Sequence, residues 1–286
     1  MSTPLRASDI VFTRHGARRG FAWLAEAYAL FRRAPWAWIA LMLLYVVFLG
    51  VAAIVPFAGH LFLLLRPVFA VGLLAAAWTQ ERGGRPRLAH MFQGFRANLR
   101  ALLALGVLWI VGITAAIFAT ALFDGGALLD LVARDPTVAD AGRTATTEDL
   151  LQGGRLQTSM LIAATLTLPT VLALWFAPAL VVFQDAGPLT AIAASLRASL
   201  ANWRPLLVYG LSIVLFGAVL PVVLVKALIL FVPSEAILVT LRFAYLAYWL
   251  MFAATLNIAD YVSYRDVFHA GETLAPLPAA VPNSPR

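Results

Sequence analysis

Six apolar runs, each about as long as a bilayer core is thick, limit what this chain can become before any motif is read. They fall at about 36–56, 60–79, 101–123, 159–183, 205–231 and 236–258. A helix needs ~20 residues to cross a hydrocarbon core of ~30 Å. Lipid gives a backbone no hydrogen-bond partner, so each run must pair its own N–H and C=O groups as a helix. The expected fold is all-α, a polytopic membrane bundle of six transmembrane helices. Composition agrees, with 62% hydrophobic and 12% charged residues, where soluble domains average about 45–50% and 25%. The spans leave room for a short cytoplasmic segment (1–15), an outer loop (124–158) within a membrane domain at 16–268, and a tail (269–286). Pro276, Pro278, Pro282 and Pro285 mark that tail as disordered.

Arginine placement predicts the orientation. Segments 1–35, 80–100, 184–204 and 259–286 hold fifteen arginines, whereas the opposite side has only Arg134, Arg143 and Arg155. By the positive-inside rule both termini are expected to be cytoplasmic; the skew of 20 Arg to 1 Lys hints at a GC-rich bacterial genome, and the expected location is a bacterial inner membrane. The net charge of +7 would suggest a nucleic-acid partner in a soluble protein. Here the loop asymmetry accounts for it, and no nucleic acid is expected. The first apolar run begins at Trp36, too far in and too long for a cleavable signal, so it is expected to remain as a span.

Three short amphipathic segments precede odd-numbered spans, all on the predicted cytoplasmic side. Phe21, Leu24, Tyr28 and Phe31 line the first; Leu88, Met91, Phe92, Phe95 and Leu99 the second; Leu189, Ile192, Leu196 and Trp203 the third. Basic residues flank each, as suits helices lying in an anionic headgroup layer, or helices that simply cover the bundle. The second and third lead into related decapeptides, ANLRALLALG at 97–106 and ANWRPLLVYG at 201–210. The chain therefore reads as three parallel copies of one unit, an interfacial helix followed by a membrane hairpin. Asn98 and Asn202 are expected to end the in-plane helix at that junction, with Pro188 starting the third helix and Asp185 preceding it. In the outer loop, Thr146, Thr147, Glu148 and Asp149 resemble a helix start.

Charged groups inside spans are functional suspects. Arg66, Lys226 and Arg242 qualify, all toward the outer face in this topology. Three readings are open: independent snorkelling to the interface, a shared cationic pocket for a lipid phosphate or other anion, or an ion pair with Glu235 or the acidic outer loop. The apolar runs place all 14 acidic residues outside the spans, with Asp124 and Asp260 just beyond their ends. That argues against a proton-coupled carrier. Cysteine is absent, the four histidines are scattered, and no hydrolase, metalloprotease or phosphate-loop motif occurs. Neither catalytic residues, metal nor cofactor are expected. Pro67, Pro169, Pro178 and Pro221 interrupt spans as kinks or as a hinge.

The stretch WFAPALVVFQDAGPLTAIAASLRASLANWR at 175–204, with AYALFRRAPW at 27–36, resembles a proteobacterial family of uncharacterised multispan inner-membrane proteins. That family is distantly similar to the membrane domain attached to some glycerophosphodiester phosphodiesterases. The resemblance transfers no activity; it implies that Asp185, Pro188, Ser195 and Asn202 are loop and cap residues of the third unit. The leading expectation is a non-enzymatic membrane-organising or accessory factor with membrane lipids, including anionic ones, as partners. The alternative is a transporter or lipid-translocating protein for an amphiphilic or anionic molecule. A cavity on which the intramembrane cations converge would favour the second.

Overall fold

In the computed structural model, residues 6–55, 57–126, 128–129, 155–231 and 235–269 are described. Every regular element among them is helical. The expected helix start at Thr146–Asp149, the tail from 270 onward and the side chain of Glu235 lie outside the described residues.

Helix α1 (Arg18–Phe31) leads into a hairpin of α2 (Pro35–Ile54) and α3 (Ala58–Glu81). A 3-10 helix (Leu88–Arg96) leads into α4 (Leu99–Asp124), then α5 (Arg155–Leu174) and α6 (Ala177–Phe183). Helix α7 (Pro188–Ala201) leads into α8 (Trp203–Val214), a π-helical turn (Leu215–Val219), α9 (Leu220–Phe231) and the long α10 (Glu235–Phe268). Six stretches are long and apolar enough to cross a membrane: Pro35–Ile54, Ala58–Glu81, Leu99–Asp124, Gln157–Phe183, Trp203–Leu228 and Thr240–Phe268. The last differs from the sequence reading. Helix α10 continues through Phe268, so Asp260 lies inside a candidate span and not beyond its end. Nothing between 235 and 268 breaks a helix: there is no proline or glycine, and Ile258, Ala259, Tyr261, Val262, Tyr264 and Val267 go on burying apolar surface past the end of the hydropathic run.

The order short helix, span, span occurs three times. Each short helix packs on the second span of the preceding unit: the 3-10 helix on α3, α7 on α5, and α1 on α10, which closes the cycle. The three seams use different chemistry. Between the 3-10 helix and α3, glycines admit the neighbouring backbone. A Cβ on Gly94 would meet the Val68 carbonyl oxygen at 2.0 Å, and one on Gly72 the His90 carbonyl oxygen at 2.5 Å. That close approach accompanies a tight 3-10 helix where an ordinary amphipathic helix was expected. Small-residue contact of this kind is how helices associate where apolar burial gives no drive.

The α7 seam is built on serines and alanines and repairs a break. Pro178 has no N–H, and the helix is interrupted between Leu174 and Ala177. The Phe176 N–H donates instead to Ser195 Oγ at 3.0 Å. The Leu172 carbonyl accepts from Ser195 Oγ at 3.0 Å and Ser199 Oγ at 3.1 Å. Ser195 thus bridges the donor and acceptor that an unbroken helix would have paired with each other.

The junction residues do different work. Asn98 caps α4, its Oδ1 accepting from the Ala101 N–H at 3.3 Å. Asn202, fully buried, ties down the N-terminal segment: Oδ1 accepts from the His15 N–H at 2.8 Å and Nδ2 donates to the Thr13 carbonyl at 3.0 Å. Asp185 holds a left-handed backbone (φ 50°) ahead of α7, which Asp tolerates better than most residues, and Pro188 takes the first turn. The matched glycines have diverged: a Cβ at Gly106 would strike the Leu64 carbonyl at 2.0 Å, whereas Gly210 faces open space.

The short helices keep large apolar side chains on their outer faces. Phe21, Tyr28, Phe92 and Leu189 are exposed, and so is Trp203, which starts α8 just beyond α7. Trp23, Leu24 and Phe31 of α1, with Ala191, Ala194 and Ala198 of α7, are buried against the spans.

Candidate functional site

Two polar assemblies stand at different depths. The first joins α1, α3 and α10. Asp266 accepts from Arg19 through both oxygens and from the Trp23 indole N–H at 2.9 Å. Arg265 pairs with Glu26 at 2.9 Å and with Glu81, to which Tyr261 also donates. Arg19 bridges back to Glu26 at 2.8 Å. The hydrogen bond to Asp266 holds the Arg19 guanidinium above the ordinary arginine pKa. Each ion here has at least one oppositely charged neighbour. This layer is structural, and it welds the closing seam of the three-unit cycle.

The second assembly is a half-open cavity of about 260 Å³ in the middle of the bundle. Helices α3, α4, α5, α6, α8 and α10 all contribute to it. Arg66, Pro67, Trp109, Trp175, Tyr209 and Asp260 form the polar and aromatic part of its wall. Fifteen residues separate Arg66 from Glu81, a rise of ~22 Å, while Asp260 is only ~7 Å along α10 from Arg265. The cavity therefore reaches from mid-bundle toward the ionic layer. A second cavity of about 40 Å³, bounded by Asn257, Asp260 and Tyr264, lies beside it.

Arg66 and Asp260 both keep exposed surface on the cavity wall. The guanidinium lies over the Trp109 ring, 3.9 Å from its centroid, a cation–π contact worth about 0.5–2 kcal/mol. No carboxylate stands in ion-pair range of Arg66 among the described residues. Among the described residues the Asp260 carboxylate receives one long hydrogen-bonding contact, 3.5 Å from the Tyr209 hydroxyl, which is equally far from the Leu256 carbonyl, and it feels the Arg66 charge from across the cavity. Trp175 packs edge-on to Tyr209 with ring centroids 5.7 Å apart. The indole N–H groups of Trp109 and Trp175 have no hydrogen-bond partner among the described residues.

Of the three intramembrane cations singled out in the sequence, only Arg66 lines this cavity. Lys226 and Arg242 are exposed side chains on α9 and α10, away from its wall. Asp260 was missed because the apolar run stops at 258; the unbroken helical pattern beyond it was the available signal. Among the described residues no group of three or more His, Asp or Glu side chains could hold a metal ion.

A curated protein of Burkholderia thailandensis, named a probable inner membrane protein, is 33% identical over 200 residues, covering 68% of this chain and 72% of that protein. No family model matches the chain, and neither does any solved structure.

Proposed function

Since the chain belongs to the family of that probable inner membrane protein, and is a multi-pass protein with six candidate spans, we propose that it binds an amphiphilic molecule with an anionic group and handles it within the bilayer. One observation carries this reading: Arg66 is presented on a cavity wall inside a span with no carboxylate in ion-pair range among the described residues, Asp260 acting on it only from across the cavity. A cation at membrane depth costs ~2.5–3.5 kcal/mol on insertion scales. Trp109 offsets part of that, and a bound phosphate or carboxylate would offset the rest. At 260 Å³ the cavity is just below the usual range for small-molecule pockets, about 300–1,000 Å³. That suits a headgroup whose chains remain in lipid. Lys226 and Arg242 take the snorkelling role in this reading.

The test is thermal stability of the purified protein with and without phosphatidylglycerol. Arg66→Gln should abolish lipid-dependent stabilisation, and Lys226→Gln and Arg242→Gln should leave it. Equal lipid response in all three variants would remove the cavity from the function.

A membrane-organising role is supported by a separate observation, the exposed Phe21 and Tyr28 on an arginine-flanked α1. A peptide of residues 17–33 should bind anionic vesicles, gain helicity and release with salt. Equal affinity for neutral vesicles would reduce α1 to a cover for the bundle. In both readings the short helices and both termini face the cytoplasm, which reporter fusions after residues 140 (outside) and 270 (inside) would check.

A further inference from the structure

Asp260 specifies the ligand more closely, on the premise that the cavity binds an amphiphile. Its carboxylate and the Arg66 guanidinium line one cavity from different helices, α10 and α3, and interact across it without closing to an ion pair. A simple anion would neutralise Arg66 but be repelled by Asp260, and a simple cation would meet the reverse. Only a ligand carrying both charges satisfies both walls. Tyr209, whose hydroxyl is 3.5 Å from Asp260, and Trp175, packed edge-on to Tyr209, line the same cavity as that carboxylate. Aromatic rings beside a carboxylate are a favourable environment for an ammonium group. The guanidinium, 3.9 Å from the Trp109 ring centroid, makes no side-chain hydrogen bond among the described residues and keeps its N–H donors for phosphate or carboxylate oxygens.

We propose that this cavity is a dipolar site for a zwitterion, with Arg66 taking the phosphate or carboxylate and Asp260 the ammonium. The ligand class is an amino-phosphate, as a zwitterionic lipid headgroup or as the free headgroup compound. The two sources share that chemistry and differ in whether acyl chains add affinity.

The experiment measures binding to the full-length protein in detergent, with short-chain phosphatidylethanolamine, short-chain phosphatidylglycerol and free phosphoethanolamine as probes. The expected result is at least a tenfold preference for phosphatidylethanolamine over phosphatidylglycerol. Asp260→Asn should reduce that preference to within about twofold, Asp260→Glu should retain it, and Arg66→Gln should weaken both lipids. Phosphoethanolamine binding as tightly as the lipid supports the dipolar site and makes the soluble compound the ligand; much weaker binding supports it with a lipid as ligand. Phosphatidylglycerol bound as well as or better than phosphatidylethanolamine by the unmodified protein overturns the zwitterion assignment and leaves the anion-binding function standing. The same holds for a preference that survives Asp260→Asn. No binding of any probe overturns both. The comparison of lipids on the unmodified protein decides the matter even where a variant does not fold.

Discussion

Asp266 and Asp260 are six residues apart on α10, yet one is saturated with partners and the other is left open. Asp266, with its side chain 12% exposed, takes two bonds from Arg19 and one from Trp23. Asp260 has exposed surface on a cavity and a single long contact. A charge removed from water needs paired and hydrogen-bonded neighbours if it is to hold a fold together. One without them is free to meet a ligand. The contrast separates what holds this bundle together from what it presents to other molecules, and it does so within one helix.

The sharpest way to break the contrast is Asp266→Asn. It leaves Arg19 without its main counter-charge, and should cost about 2–4 kcal/mol in unfolding free energy in micelles. Asn202→Ala comes next. It strips a buried amide that holds Thr13 and His15, for about 2–3 kcal/mol, and limited proteolysis should show the segment before α1 released. Ser195→Ala leaves the Phe176 N–H unpaired while Ser199 still serves Leu172, costing about 1–2 kcal/mol by the same denaturation. Asp260→Asn should change stability by no more than about 0.5 kcal/mol, since no strong native bond is lost. If Asp260→Asn destabilised as much as Asp266→Asn, both carboxylates would be structural and the cavity would lose its claim.

Hydropathy made the spans legible because bilayer thickness writes itself directly into chain length. Arg66 was legible for a related reason: a charge inside an apolar run stands out. Asp260 was not, because polar Asn257, Ser263, Arg265 and Asp266 lower the local hydropathy while the helix runs on. The ionic layer was equally hidden. Glu26 and Glu81 look like ordinary polar flanks, and their partner Arg265 lies 239 and 184 residues away. Ser195 was read as a loop or cap residue. Its bridging of the Pro178 break depends on two helices meeting, which no local pattern records. The decapeptide repeat did show the unit, but not that the units close head to tail, nor that Asn98 and Asn202 would serve different neighbours.

The α1–α10 seam also sets an order in time. Arg19 and Asp266 are 247 residues apart, and synthesis at 5–20 residues per second puts roughly 12–50 s between them. The first helix made must wait for the last before its arginine finds the carboxylate that fixes it. During that interval Arg19 and Glu26 have only each other, and the earlier spans are already in the bilayer without a closed circle. Synthesis of α10 is therefore the event that locks this seam, and a ribosome that stops short of it leaves α1 with α8 to pack on but without the ions that close the circle.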